Sequence, residues 1–141
     1  MADTIINALW DYFLDCPLTG DKKLNVSYLP ESGIEYSIDT TPATEIVKRY
    51  TDGSSIRQYL FVFRSVNEYG NDVLQNLANS GFYEQLTDWM EQQSKLENLP
   101  KLPTGKTAIK IESQSTGYLF TTGPNVGRYQ IQCRLLYLQE G

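Results

Sequence analysis

The stretch "LPTGKT" at residues 102–107 is where the chain most invites a chemical reading. A glycine followed by Lys106 and Thr107 is how a phosphate-binding loop ends. In such a loop backbone amides and the lysine cradle phosphates while the hydroxyl holds a magnesium ion. That chemistry needs a first glycine at position 100, where Pro100 stands. It also needs a strand before the loop and a helix after it, and the patterns here run the other way. The six residues read as a turn, and a nucleotide-binding enzyme using Lys106 and Thr107 stands only as an alternative.

Glu84, Asp88 and Glu91 form a carboxylate row at helical spacing, which could bind a cation or do acid–base work. Their neighbours are Gln85, Gln92 and Gln93, so the row reads as a solvated or partner-facing helix surface. The chain has no histidine. That removes the commonest general base, the usual serine and cysteine triads and the commonest metal ligand. Cys16 and Cys133 have no imidazole to activate them, and a zinc site would need two distant thiols plus carboxylates. They make no disulfide framework and read as reduced thiols in or near a core. The expectation is a protein that is not an enzyme and carries no cofactor or metal.

The remaining oddity is basic. Lys48, Arg49, Arg57, Arg64, Arg128 and Arg134, half of the 12 cations, all fall in strand-like segments. They could pair locally with carboxylates across a solvated sheet, at roughly 0.2–1 kcal/mol each. They could instead pair across a subunit boundary, where the planar arginine fork meets a carboxylate in two places. An acidic chain with clustered strand arginines is charge-polarised, which suits head-to-tail assembly. Composition leaves both readings open. The net charge of -5 speaks against a dedicated nucleic-acid binder.

The elements that must position these residues follow from periodicity. Residues 3–15 read as an amphipathic helix through Ile5, Ile6, Leu9, Tyr12 and Phe13, capped by Asp3 or Thr4 and ended at Cys16-Pro17. Strand patterns follow at 24–29 and 34–39 around the turn "PESG". A hairpin spans 46–65 across Asp52-Gly53. Its second strand puts Tyr59, Phe61 and Phe63 with Arg57, and Leu60 and Val62 with Gln58 and Arg64. Both faces are apolar at its middle, which predicts a central strand covered on both sides.

Residues 71–97 read as helical, with Asn71 or Asp72 as cap and Val73, Leu74 and Leu77 opening an apolar stripe. "NSG" at 79–81 predicts a break, with Ser80 capping a second helix whose inner face holds Phe82, Leu86, Trp89, Met90 and Leu96. Strands are predicted at 107–114, 117–122 and 128–139, the last two joined by the turn "GPNVG". The last strand alternates Tyr129, Ile131, Cys133, Leu135 and Tyr137 with Arg128, Gln130, Gln132 and Arg134. The fold class is α+β in a single domain, 1–141: a mostly antiparallel sheet with an N-terminal helix and a long central helical segment packed on it. The start of the chain lacks the basic region of a secretion signal, so the sequon "NVS" at 25–27 carries little weight. No run approaches the ~20 apolar residues of a membrane span.

Four of these segments, "RYTDGSSIRQYLFVFRS", "NLANSGFYEQLTDWMEQQS", "SQSTGYLF" and "GRYQIQCRLLYLQE", resemble a family of small phage proteins of Gram-positive bacteria. The family is labelled minor capsid protein and regarded as the tail terminator, or tail completion protein. The resemblance runs over nearly the whole chain and lies in the order and spacing of the segments. It implies a compact subunit of a homo-oligomeric ring, hexameric in the family, that caps the tail tube, stops its polymerisation and meets the neck or head–tail connector. In contractile particles it implies the sheath as a further neighbour. It implies a place in the virion or a phage-like tail particle, assembled in the cytoplasm of the bacterial host, with no membrane partner and no sequence-specific nucleic-acid binding. A head-completion or other neck adaptor is the structural alternative. The family offers no catalytic or metal residues to carry over. Within this reading Arg57, Arg64, Arg128 and Arg134 are the residues expected at ring or neck contacts.

Overall fold

The computed structural model describes residues 4–20, 22–29, 35–70, 72–123 and 125–141. Two strands of 14 residues each, β4 (Ser55–Glu68) and β7 (Val126–Gln139), pair antiparallel along their whole length, from Ser55 opposite Gln139 to Glu68 opposite Val126. Each outer side of this ribbon carries two shorter strands end to end. On the β4 side, β2 (Glu35–Thr40) pairs with residues 61–66 and β3 (Ile46–Arg49) with residues 55–57. On the β7 side, β5 (Lys106–Ser113) pairs with residues 133–139 and β6 (Tyr118–Gly123) with residues 126–130. The short β1 (Leu24–Val26) runs parallel to β2 and completes a seven-stranded, mostly antiparallel sheet. Helices α1 (Ile5–Leu14) and α2 (Val73–Lys95) pack on it, so the fold is α+β.

The expected hairpin is β3–β4. Gly53 takes a φ of 93° in its loop, a conformation only glycine adopts freely, and Asp52 Oδ1 accepts from the Ser54 amide at 2.9 Å. β4 lies centrally, and Phe61, Val62 and Phe63 are all buried although they alternate between faces. Phe13 of α1 fits between Phe61, Phe63 and Trp89 at ring separations of 5.9, 5.4 and 5.8 Å. Phe82 of α2 stacks on Tyr36 at 5.2 Å. Leu9, Leu86, Met90, Ile111, Ile131 and Leu135 fill the rest of this layer at no measurable exposure. Thr4 caps α1, its Oγ1 accepting from the Asn7 amide.

Several expectations need correction. "NSG" does not break the helix: α2 is continuous for 23 residues through Gly81, and Ser80 caps nothing. Burial of Tyr83, Leu86 and Met90 on the sheet outweighs the ~1 kcal/mol that an interior glycine costs. Leu77 and Leu96 are not core residues, at 62% and 64% exposure. The strand expected over 24–29 stops at Val26, because Ser27 turns to a φ of 54°. The turn "PESG", the caps Asp3 and Asn71, the side chains of Val73 and Leu74, and Pro124 of the turn "GPNVG" lie outside the described residues.

Candidate interaction surface

Strand parity places Phe61 and Phe63 under the helices, so Leu60, Val62 and Arg64 point to the opposite face of the sheet. β7 contributes Arg128, Gln130, Gln132, Arg134, Leu136 and Leu138 to that face, because Tyr129, Ile131, Cys133, Leu135 and Tyr137 take the helix side. Register then decides who meets whom: Arg64 opposes Ser37 and Gln130, Leu60 opposes Arg134, and Arg128 lies between Val66 and Thr121.

Arg64 is held on three sides. Its Nη1 donates to Asp39 Oδ2 at 2.7 Å, its Nε donates to Gln130 Oε1 at 3.1 Å, and its guanidinium carbon lies 5.0 Å from the centre of the Phe120 ring. A register shift between Leu119 and Thr121 in the pairing of β6 with β7 accompanies that placement of Phe120. Ser37 Oγ donates to the other Asp39 oxygen at 2.7 Å, and the Gln130 amide bonds the Tyr118 hydroxyl. Arg134 donates from Nε to Glu112 Oε2 at 2.8 Å and from Nη1 to Gln58 Oε1 at 3.4 Å, while Lys110 Nζ lies 3.1 Å from Glu112 Oε1. Burial raises the Glu112 carboxyl, but the bonds and charges of Arg134 and Lys110 outweigh it and hold the group below its ordinary range.

Arg57 lies on the helix-side parity, near the hairpin loop. Its Nη1 donates to Glu45 Oε1 at 3.1 Å and its Nε to Ser55 Oγ at 3.0 Å. Tyr137 donates to the same Glu45 oxygen at 3.2 Å, and burial followed by that negative charge pushes its hydroxyl up to about 12. The structure therefore brings Arg64, Arg128 and Arg134 to one face and sets Arg57 on the other. Arg64 and Arg134 each find a carboxylate within their own sheet, and Arg57 finds Glu45 just before β3, with arginine side chains 33%, 27% and 26% exposed. Pairs this accessible contribute roughly 0.2–1 kcal/mol each.

The other sequence candidates resolve simply. At 102–107 the Lys106 amide donates to the Pro103 carbonyl at 3.1 Å across Gly105, whose φ is 89°. The Gly105 carbonyl in turn accepts from the Glu140 amide at 2.8 Å, so this backbone serves a turn and the end of β7. Glu84, Asp88 and Glu91 are exposed, and no cluster of acidic or cysteine side chains among the described residues is placed to hold a metal ion. Cys16 and Cys133 are buried free thiols, and burial pushes both upward.

Two contacts between α2 and the far edge of the sheet escaped the sequence reading. Ser94 Oγ donates to the Ile111 carbonyl at 2.7 Å and accepts from the Ile111 amide at 3.1 Å, so one side chain satisfies the backbone of Ile111 on the outer edge of β5. Tyr83 presses on Gly117, where an added Cβ would lie 2.3 Å from the tyrosine Cβ. The Tyr83 hydroxyl shares a 2.6 Å hydrogen bond with Ser65 Oγ. Between these contacts lies a groove of about 520 Å³, bordered by Glu84 and Asp88 on α2 and by residues 113–117 on the sheet side. Only the helical spacing of the two carboxylates hinted at it.

Comparison with known protein families and with curated proteins finds no match to this chain. No helix among the described residues is long and apolar enough to cross a membrane.

Proposed function

We propose that this chain is a structural assembly subunit, a tail terminator that forms a ring on the end of a phage-type tail tube, stops its growth and meets the neck. One observation carries the reading beyond the resemblance of the four sequence segments. Both helices lie on one side of the sheet, and the other side keeps half-buried Ile56, Leu60, Leu136 and Leu138 beside ion-paired Arg64 and Arg134. Aliphatic side chains framed by pre-oriented arginines are what subunit contacts use as anchors. Capping works by complementarity: one surface matches the tube end, and the other offers nothing to which a further tube subunit can add.

The test is electron microscopy and sedimentation of the purified chain, alone and with tubes assembled from the tube protein of the same particle. Rings, or caps on one tube end with arrested growth, are the expected result. A chain that stays monomeric at high concentration and leaves tube growth unchanged overturns the reading.

A further inference from the structure

β3 sits at one lateral edge of the sheet and the α2 groove at the other, with β4 and β7 between them. The two sites are opposite in charge. The end of β3 presents Lys48 and Arg49, both exposed, flanked by exposed Val47 and Tyr50. Among the described residues neither cation forms an ion pair, and Lys48 Nζ lies 5.2 Å from the centre of the Tyr50 ring. The groove presents Glu84 and Asp88, one helical turn apart, with Ser113, Ser115 and Thr116 along its sheet side, and among the described residues no lysine or arginine lines it.

We infer that Lys48 and Arg49 of one copy enter the Glu84–Asp88 groove of the next, joining subunits head to tail. The inference rests on the ring reading above and names its contact. Two carboxylates one helical turn apart on the wall of a groove offer an ammonium and a guanidinium charge-assisted hydrogen bonds, and the groove walls reduce screening. Donor and acceptor sites at opposite edges of one subunit make a heterologous contact, which closes into a ring when the rotation per subunit allows. Sheet-to-sheet pairing does not compete at Ile111, because Ser94 already occupies that residue's amide and carbonyl. On the other side, β3 carries a register shift between Ile46 and Lys48 that spoils it as a template for another strand.

The test uses two full-length charge-reversed chains, Lys48→Glu with Arg49→Glu, and Glu84→Lys with Asp88→Lys. All four sites are exposed, and circular dichroism checks that both chains fold. Each reversed chain alone should lose self-association by about a hundredfold, since like charges then face each other. An equimolar mixture should associate again, because the acidic tip of one chain now meets the basic groove of the other. If the parent assembles and both reversed chains assemble equally well alone, the ring reading survives and this contact is wrong. If both lose assembly and the mixture does not restore it, the contact is again wrong. If the parent assembles neither alone nor on tube ends, the ring reading fails and takes this inference with it.

Discussion

Glu112 is the residue whose surroundings make the clearest claim. Arg134 and Lys110 hold its carboxyl below the ordinary range in the folded chain. A group with a depressed folded pKa contributes stability that is complete above its unfolded value of about 4.3 and is lost as pH falls through the folded value. Glu112→Gln should therefore be less stable than the parent at pH 7 by about 1 kcal/mol, with the difference narrowing below pH ~4. Urea titrations across pH read this directly, and parallel pH profiles for the two chains would contradict it. The faces of Arg64, Arg128 and Arg134 were legible in the alternation of their strands. Their partners were not, because Asp39 reaches Arg64, and Glu112 reaches Arg134, only through the register of strands distant in sequence.

Among the elements, α2 shows where local propensity misleads. Asn79, Ser80 and Gly81 look like the end of a helix, yet the helix continues, because Tyr83, Leu86 and Met90 gain more by burial than the glycine loses. An added Cβ at Gly81 meets nothing within 4 Å, so Gly81→Ala should raise stability by about 0.5–1 kcal/mol. Gly117→Ala should do the reverse and cost about 2–3 kcal/mol, because buried Tyr83 has no room to retreat. Thermal melts of the two variants should thus move in opposite directions, and a shared sign would refute the packing described here. Hairpin β3–β4 and strand β7 were readable from turn chemistry and alternation. The exposure of Leu77 and Leu96 was not, since a helical period identifies a stripe without saying where the partner surface stops.

For the molecule as a whole, one aromatic layer joins both helices to the sheet, through Phe13, Phe61, Phe63, Trp89 and Phe82. Unfolding should be a single transition, with tryptophan fluorescence from Trp10 and Trp89 coinciding with far-ultraviolet circular dichroism. Two separated transitions would show that the helical layer leaves the sheet on its own. The fold class followed from the order of the patterns. The side-by-side placement of β2 with β3 and of β5 with β6 did not, because nothing local says that one long strand serves two short neighbours. That arrangement also sets a timetable. Glu68 pairs with Val126 and Ser55 with Gln139, so the rungs of the ribbon join residues 58 to 84 positions apart. Until β7 has left the ribosome, β4 has no neighbour along one whole side, and Phe61 and Phe63 lack the strand that completes their layer. Synthesis order thus keeps the sheet unfinished until β7 has been made.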